Sequence, residues 1–126
     1  MGLLENQVAL VTGGSSGIGK SIAYYLAKEG ANVAVNYYSD KEGAEDVVKS
    51  IEALGKKAFA VQADVGDEAD VARMFDAVFN EYGNLDILIS NAGIQKDAPF
   101  HEMTLKDWNA VIRTNLTGAF LCAKEA

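Results

Sequence analysis

The segment from Thr12 to Gly19 reads TGGSSGIG, with glycines at 13, 17 and 19 and a pair of serines, Ser15 and Ser16, between them. Residues without a β-carbon let a backbone turn tightly and approach a ligand closely, and the serine hydroxyls add hydrogen-bond donors. A short β-branched apolar run, Val8 to Val11, leads into the loop. Beyond it Ile18, Ile22, Ala23, Leu26 and Ala27 recur at helical spacing up to Lys28, and Gly30 follows where a helix would stop. A glycine loop that leaves a strand and opens a helix suits a pyrophosphate, because the first N–H groups of a helix lack intrahelical partners and carry partial positive charge. The loop lacks the Gly-Lys-Ser/Thr ending of a nucleoside-triphosphate P-loop.

The strand and helix around this loop begin a repeating series. Val33 to Val35 reads as a second strand, Asp40 caps a helix running to about Leu54 with Gly55 behind it, and Ala58 to Val61 forms a third strand. Asp67 opens a helix whose Val71, Met74, Phe75, Val78 and Phe79 share a face and which ends near Tyr82-Gly83; Leu85 to Ile89 is the fourth strand. A loop from about Gly93 to Met103 carries the one proline, Pro99, and Thr104 with Asp107 reads as a capping box opening a last helix. Strands alternating with helices predict an α/β fold built on a doubly wound parallel sheet, and the length fits one domain.

The formal net charge of −7 disfavours an electrostatic grip on nucleic acid or on an anionic membrane surface. An apolar fraction of 49% with 23% charged residues is that of a globular chain. With no export signal or long apolar run, and with a single cysteine, Cys122, in an apolar helical stretch, the expected setting is the cytoplasm and the expected thiol is buried and inert. No metal is expected.

The spacing Thr12-Gly13-x-x-x-Gly17-x-Gly19 resembles the glycine motif of the short-chain dehydrogenases/reductases, a family of nicotinamide-dependent oxidoreductases. Asn91-Ala92-Gly93 after the fourth strand and Asp64-Val65 after the third agree with that family's pattern. The resemblance covers the whole chain. It implies a Rossmann-type sheet of strand order 3-2-1-4, with residues 1–126 forming the dinucleotide-binding half of the domain. It implies NADP or NAD as cofactor, held by Gly13, Ser15, Ser16, Gly17, Ile18, Gly19, Asn91, Ala92 and Gly93, with Asp64 and Val65 at the adenine. Asn115 in RTNLTGAF matches the Asn of a catalytic tetrad completed by Ser, Tyr and Lys, and its implied part is to hold, through its main chain, a water in the proton path to the lysine.

The family's Ser and Tyr-x-x-x-Lys lie in a second half, so the resemblance implies a cofactor-binding chain that is inactive by itself. Tyr24 and Lys28 form such a string, but on the first helix, and are set aside. Near the end of the second strand Tyr37 stands where an acid would read the ribose 2′-hydroxyl, and Tyr38 and Ser16 stand where relatives carry bases. Ser39 and Lys41 can reach a 2′-phosphate, so use of both nucleotides with a lean to NADP is expected. VNYYS and HEMTLKDWNAVIRTNLTGAFL are most similar to bacterial glucose 1-dehydrogenases and next to β-ketoacyl carrier-protein reductases. The fourth strand as an open edge, together with Val111, Ile112, Leu116, Phe120 and Leu121, points to a homo-oligomer. His101 reads as a surface or packing residue. A nucleotide-binding or interaction module without chemistry stays open as the alternative.

Overall fold

The computed structural model describes residues 2–94 and 98–126. β1 (Val8–Val11) runs through the middle of a four-stranded sheet with all four residues buried. It pairs in parallel with β2 (Asn32–Tyr37) on one side and β4 (Ile87–Ile89) on the other, and β3 (Ala58–Gln62) lies parallel outside β2. The order is therefore 3-2-1-4, as expected. A strand covered on both faces has no solvent side to alternate with, so VALV reads as an unbroken apolar run.

Period two divides those side chains between two cores. Val8 and Leu10 join Ala34, Val71, Met74, Phe75 and Val78 beneath α3 (Glu68–Tyr82). Val11 joins Val33, Val35, Ala23, Ala27, Val47 and Ile51 beneath α1 (Gly17–Lys28) and α2 (Lys41–Glu52). Helices on both faces make the sheet doubly wound and Rossmann-type. Beyond β4 the chain forms a 3₁₀ turn, Phe100–Glu102, and then α4 (Leu105–Val111), which passes through a π-helical turn, Ile112–Thr117, into α5 (Gly118–Glu125). Part of the loop expected over 93–103, residues 95–97, lies outside the described residues. α5 lays Leu121 and Cys122 onto the core under α3.

The expected caps are in place. Asp40 accepts the N–H of Gly43 at 2.9 Å, Asp67 Oδ1 accepts those of Ala69 and Asp70 at 2.9 and 3.2 Å, and Thr104 Oγ1 accepts that of Asp107 at 3.1 Å. Several details differ from expectation, the π turn that divides the last expected helix among them. β2 runs on to Tyr37, because Asn36 and Tyr37 pair with Val61 and Gln62 although asparagine disfavours strands. β4 begins at Ile87 instead of Leu85, since the Asp86 carboxylate takes the N–H of Val8 at 2.8 Å in place of a main-chain carbonyl. Phe79 is 45% exposed: at 100° per residue it sits about 80° round α3 from Val71, on the margin of the buried stripe. Ile18, in the open first turn of α1, is 73% exposed instead of sharing the helix's buried face.

Cys122 is 1% exposed, and burial pushes its thiol from 9.0 up to about 11. A folded-state value above the unfolded one means that this contribution to stability is complete below pH 9 and is lost as the pH rises through about 11. Alkylation of Cys122 by iodoacetamide at pH 8 is expected to run at least ~100-fold slower in the folded chain than in denaturant, the thiolate fraction alone accounting for two pH units. Equal rates would show that the helix does not dock.

Candidate functional site

The carboxyl ends of all four strands open on one cleft of about 800 Å³. Gly13, Ser15 and Ser16 line it from the loop after β1; Asn36, Tyr38, Ser39 and Asp40 from the end of β2; Ala63, Asp64 and Val65 from the end of β3; Asn91, Ala92, Gly93 and Ile94 from the end of β4. The helical segment after β4 closes the remaining side with Ala110, Arg113 and Thr114.

The loop after β1 is fastened on both sides. Thr12 is 1% exposed, and its Oγ1 accepts the N–H groups of Asn91 at 2.9 Å and Ala92 at 3.0 Å while its hydroxyl donates to the carbonyl of Ile89 at 3.4 Å. One donor and two acceptor positions are all that a hydroxyl has, so this one is fully used. Asn91 Nδ2 returns a bond to the carbonyl of Gly13 at 3.1 Å. On the opposite side Asn36, also 1% exposed, accepts the N–H of Gly13 at 3.1 Å and donates to the carbonyls of Val61 and Ala63, each at 3.3 Å. Gly13 adopts φ +62 with Ala92 so near that a Cβ would meet its Cα at 2.9 Å. A Cβ on Gly19 would strike the Gly13 carbonyl and the Asn91 amide, so only glycine at 19 lets α1 start this close to the loop.

α1 differs from its neighbours at its N-terminus. Asp40 and Asp67 spend carboxylates on the first N–H groups of α2 and α3, whereas Ser16, in extended conformation before α1, makes no such bond and no acid stands in the first turn. The first N–H groups of α1 are therefore unspent, and its positive end begins beside Ser15 and Ser16 on the cleft wall, an arrangement that takes an anion.

Of the residues expected to hold a cofactor, Gly13, Ser15, Ser16, Tyr38, Ser39, Asp64, Val65, Asn91, Ala92 and Gly93 line the cleft together. Gly17 and Gly19 shape the start of α1 behind it. Ile18 lies on a shallow apolar groove beside α1 with Leu4, Ile22 and Tyr25. Tyr37 is not on the cleft wall: it shares the β2 face of Val33 and Val35 and packs, half-buried, against the core under α1 and α2. Lys41 is also off the wall and stands 3.9 Å from Glu45. Asn115, in the π turn, spends its side chain on the residue after Gly93, accepting the Ile94 N–H at 2.8 Å and donating to the Ile94 carbonyl at 2.9 Å. Thr12, Asn36, Asp40 and Arg113 belong to the site without having been singled out for it; the buried polar pair Thr12 and Asn36, at the ends of apolar strands, was the signal available.

The family model for short chain dehydrogenases matches residues 7–126. This chain belongs to the short-chain dehydrogenase/reductase family. It is 51% identical over 118 residues to the 3-oxoacyl-[acyl-carrier-protein] reductase FabG of Staphylococcus aureus, covering 94% of this chain and 48% of that protein. The Staphylococcus epidermidis FabG is 48% identical over 120 residues, at 95% and 49% coverage. Among solved structures, a short chain dehydrogenase of Burkholderia cenocepacia in complex with NADP superposes with a TM-score of 0.93 at 43% identity, covering 96% of this chain and 49% of that one. A Serratia marcescens short-chain dehydrogenase/reductase variant gives 0.94 at 36% identity, with 98% and 50% coverage. The chain thus spans about half the length of the relatives it matches.

Within this member of the family, replacing Thr12 by Val keeps the shape but strands two part-buried N–H groups, an expected loss of about 1–3 kcal/mol for each. Thr12→Ser keeps the hydroxyl and is expected to cost about 1 kcal/mol for the missing methyl. Chemical denaturation of the three proteins separates the two cases, and equal stability of the Val and Ser variants would show that the hydroxyl does not tie the strands.

Proposed function

We propose that this chain is the dinucleotide-binding half of an NAD(P)-dependent oxidoreductase. The observation that carries this reading is the uncapped start of α1 opening onto the cleft at the strand ends, walled by the Gly13 loop and by Asn91-Ala92-Gly93. These residues fit such a cofactor. The first N–H groups of α1, with Ser15 and Ser16, suit the pyrophosphate; Tyr38 and Ser39 stand at the end of β2, where the adenosine ribose is read; Asp64 and Val65 bound the base side. The nicotinamide of a bound cofactor supplies hydride exchange with an alcohol or carbonyl. Asn115 serves that chemistry by fixing Ile94, and with it the wall that follows Gly93.

For cofactor choice the reading is use of both nucleotides, leaning to NADP. Asp40 does line the cleft, so an acid stands nearby after all, but its carboxylate caps α2 and the positive end of that helix offsets it. For substrate, a β-ketoacyl or related carbonyl is favoured by the FabG relatives; glucose, suggested by the resemblance of two segments, is the second choice. A cytoplasmic setting belongs to the same reading, supported by the buried unpaired thiol of Cys122.

Residues 1–126 are expected to bind nucleotide without turning it over. The described residues lining the cleft include one phenol, Tyr38, and no lysine. The loss of a positioned general acid costs a factor of about 10²–10⁴ in rate, before orientation is counted. Calorimetric titration with NADP and NAD, beside assays of NAD(P)H oxidation with a β-ketoacyl ester and of NAD(P) reduction with glucose, tests this. Binding with no turnover is the expected result. A hundredfold preference for NAD would reverse the lean, and no binding of either nucleotide would refute the reading.

Self-association is expected as well. Among the described residues β4 has one partner strand, β1, and Leu116 and Phe120 are 64% and 61% exposed, although Leu121, expected on the same surface, is buried in the core. Light scattering at micromolar concentration is expected to show dimers or larger species; a stable monomer would exclude this.

A further inference from the structure

Asp64 stands at the carboxyl end of β3 with its side chain 18% exposed on the cleft, and three contacts hold it. Its N–H donates to Asp70 Oδ2 of α3 at 2.9 Å. Its Oδ1 accepts the N–H of Gly66 at 2.9 Å. Its Oδ2 is 2.7 Å from Nη2 of Arg113, which reaches across from the π turn. Arg113 passes directly over Gly66, where a Cβ would sit 2.7 Å from its Cγ. Among the described residues lining the cleft, Arg113 is the one cation, and it makes this contact with one of its five donors.

A carboxylate offers about four lone-pair positions, of which Gly66 and Arg113 take two. Those that remain face a cleft read here as the site of an anionic ligand, where a carboxylate is tolerated only if it meets a neutral donor. Because the ribose is read at the end of the second strand, the base lies toward β3, and the neutral donor of the base is the 6-amino group of adenine. Rotation of an Asp carboxylate about its last bond is soft, so one tie at Gly66 leaves its plane free, whereas a second tie at Oδ2 fixes it.

We propose that Arg113 is a positioning residue for base recognition: by holding Oδ2 it fixes the plane of the Asp64 carboxylate so that its free lone pairs accept from the adenine amine, and it balances the carboxylate's charge beside the anionic cofactor. This inference rests on the dinucleotide reading above. It makes Arg113 a determinant of which base is accepted, acting through Asp64.

The test is calorimetric titration of the 126-residue chain with NADP and with its hypoxanthine analogue, in which a carbonyl replaces the amine. The unsubstituted chain is expected to prefer NADP by about tenfold or more, the size of one charge-assisted hydrogen bond. Arg113→Met is expected to cut that preference below about threefold while moving the unfolding midpoint little, because a half-exposed ion pair contributes little to stability. Arg113→Lys, which retains charge and a donor, is expected to restore most of the preference, a rescue that a purely structural role would not produce. If the Met variant fails to fold, Arg113→Leu, which also lacks a donor, carries the same comparison. A Met or Leu variant that keeps the full preference overturns the proposal. An unsubstituted chain that binds both analogues equally overturns it too while leaving the dinucleotide reading intact, and a chain that binds neither overturns both.

Discussion

The hydroxyl of Thr12, buried at the carboxyl end of β1, accepts the N–H groups of Asn91 and Ala92 and donates to the carbonyl of Ile89. A buried polar atom must find partners or forfeit its hydration, and here the partners lie on the neighbouring strand. The consequence is that the loops leaving β1 and β4 cannot move independently. Asn36 makes the same demand on the other side, joining Gly13 to the carbonyls of Val61 and Ala63. Two polar side chains in an apolar sheet thus align the ends of all four strands, and the cleft is the space those ends enclose.

Charge is distributed around that space by the starts of the helices. α2 and α3 begin with aspartates whose carboxylates take the first N–H groups, followed by acids in the first turn. α1 begins with Ser16 and no acid. In a chain of net charge −7, this leaves the start of α1 as a local positive end beside the Ser15-Ser16 wall of the cleft. The close start of α1 depends in turn on Gly19, which has the Gly13 carbonyl and the Asn91 side chain against it. Loop, helix and the Asn91 segment therefore form one packed unit.

The far wall is held by contacts of a different kind. Asn115 uses both ends of its amide on Ile94, and two residues earlier Arg113 reaches Asp64. Both belong to the π turn, in which i→i+5 bonding puts more residues into each turn and displaces side chains from the spacing of the flanking α-helices. One irregular turn thus joins the end of β4 to the end of β3 across the cleft.

The alternation of strand and helix, the caps at Asp40, Asp67 and Thr104, and the glycine loop were legible in the sequence because each depends on neighbours within about one helical turn or on period two along a strand. The short-chain dehydrogenase/reductase motifs around Gly13, Asp64 and Asn91 were legible for the same reason, since their spacing is local. What the letters did not disclose were the margins: Asn36 within a strand, the Asp86 carboxylate shortening β4, and Phe79 at the edge of its stripe. By itself the sequence determined the order of elements, both buried faces and the position of the anion-receptive turn. Only the tertiary structure decided that Tyr37 packs, half-buried, against the core, that Thr12 holds residues 79 and 80 positions away, and that Arg113 meets Asp64. The reason is physical: a hydrogen bond or ion pair between remote residues leaves no local pattern, and its partners become neighbours only when the sheet closes.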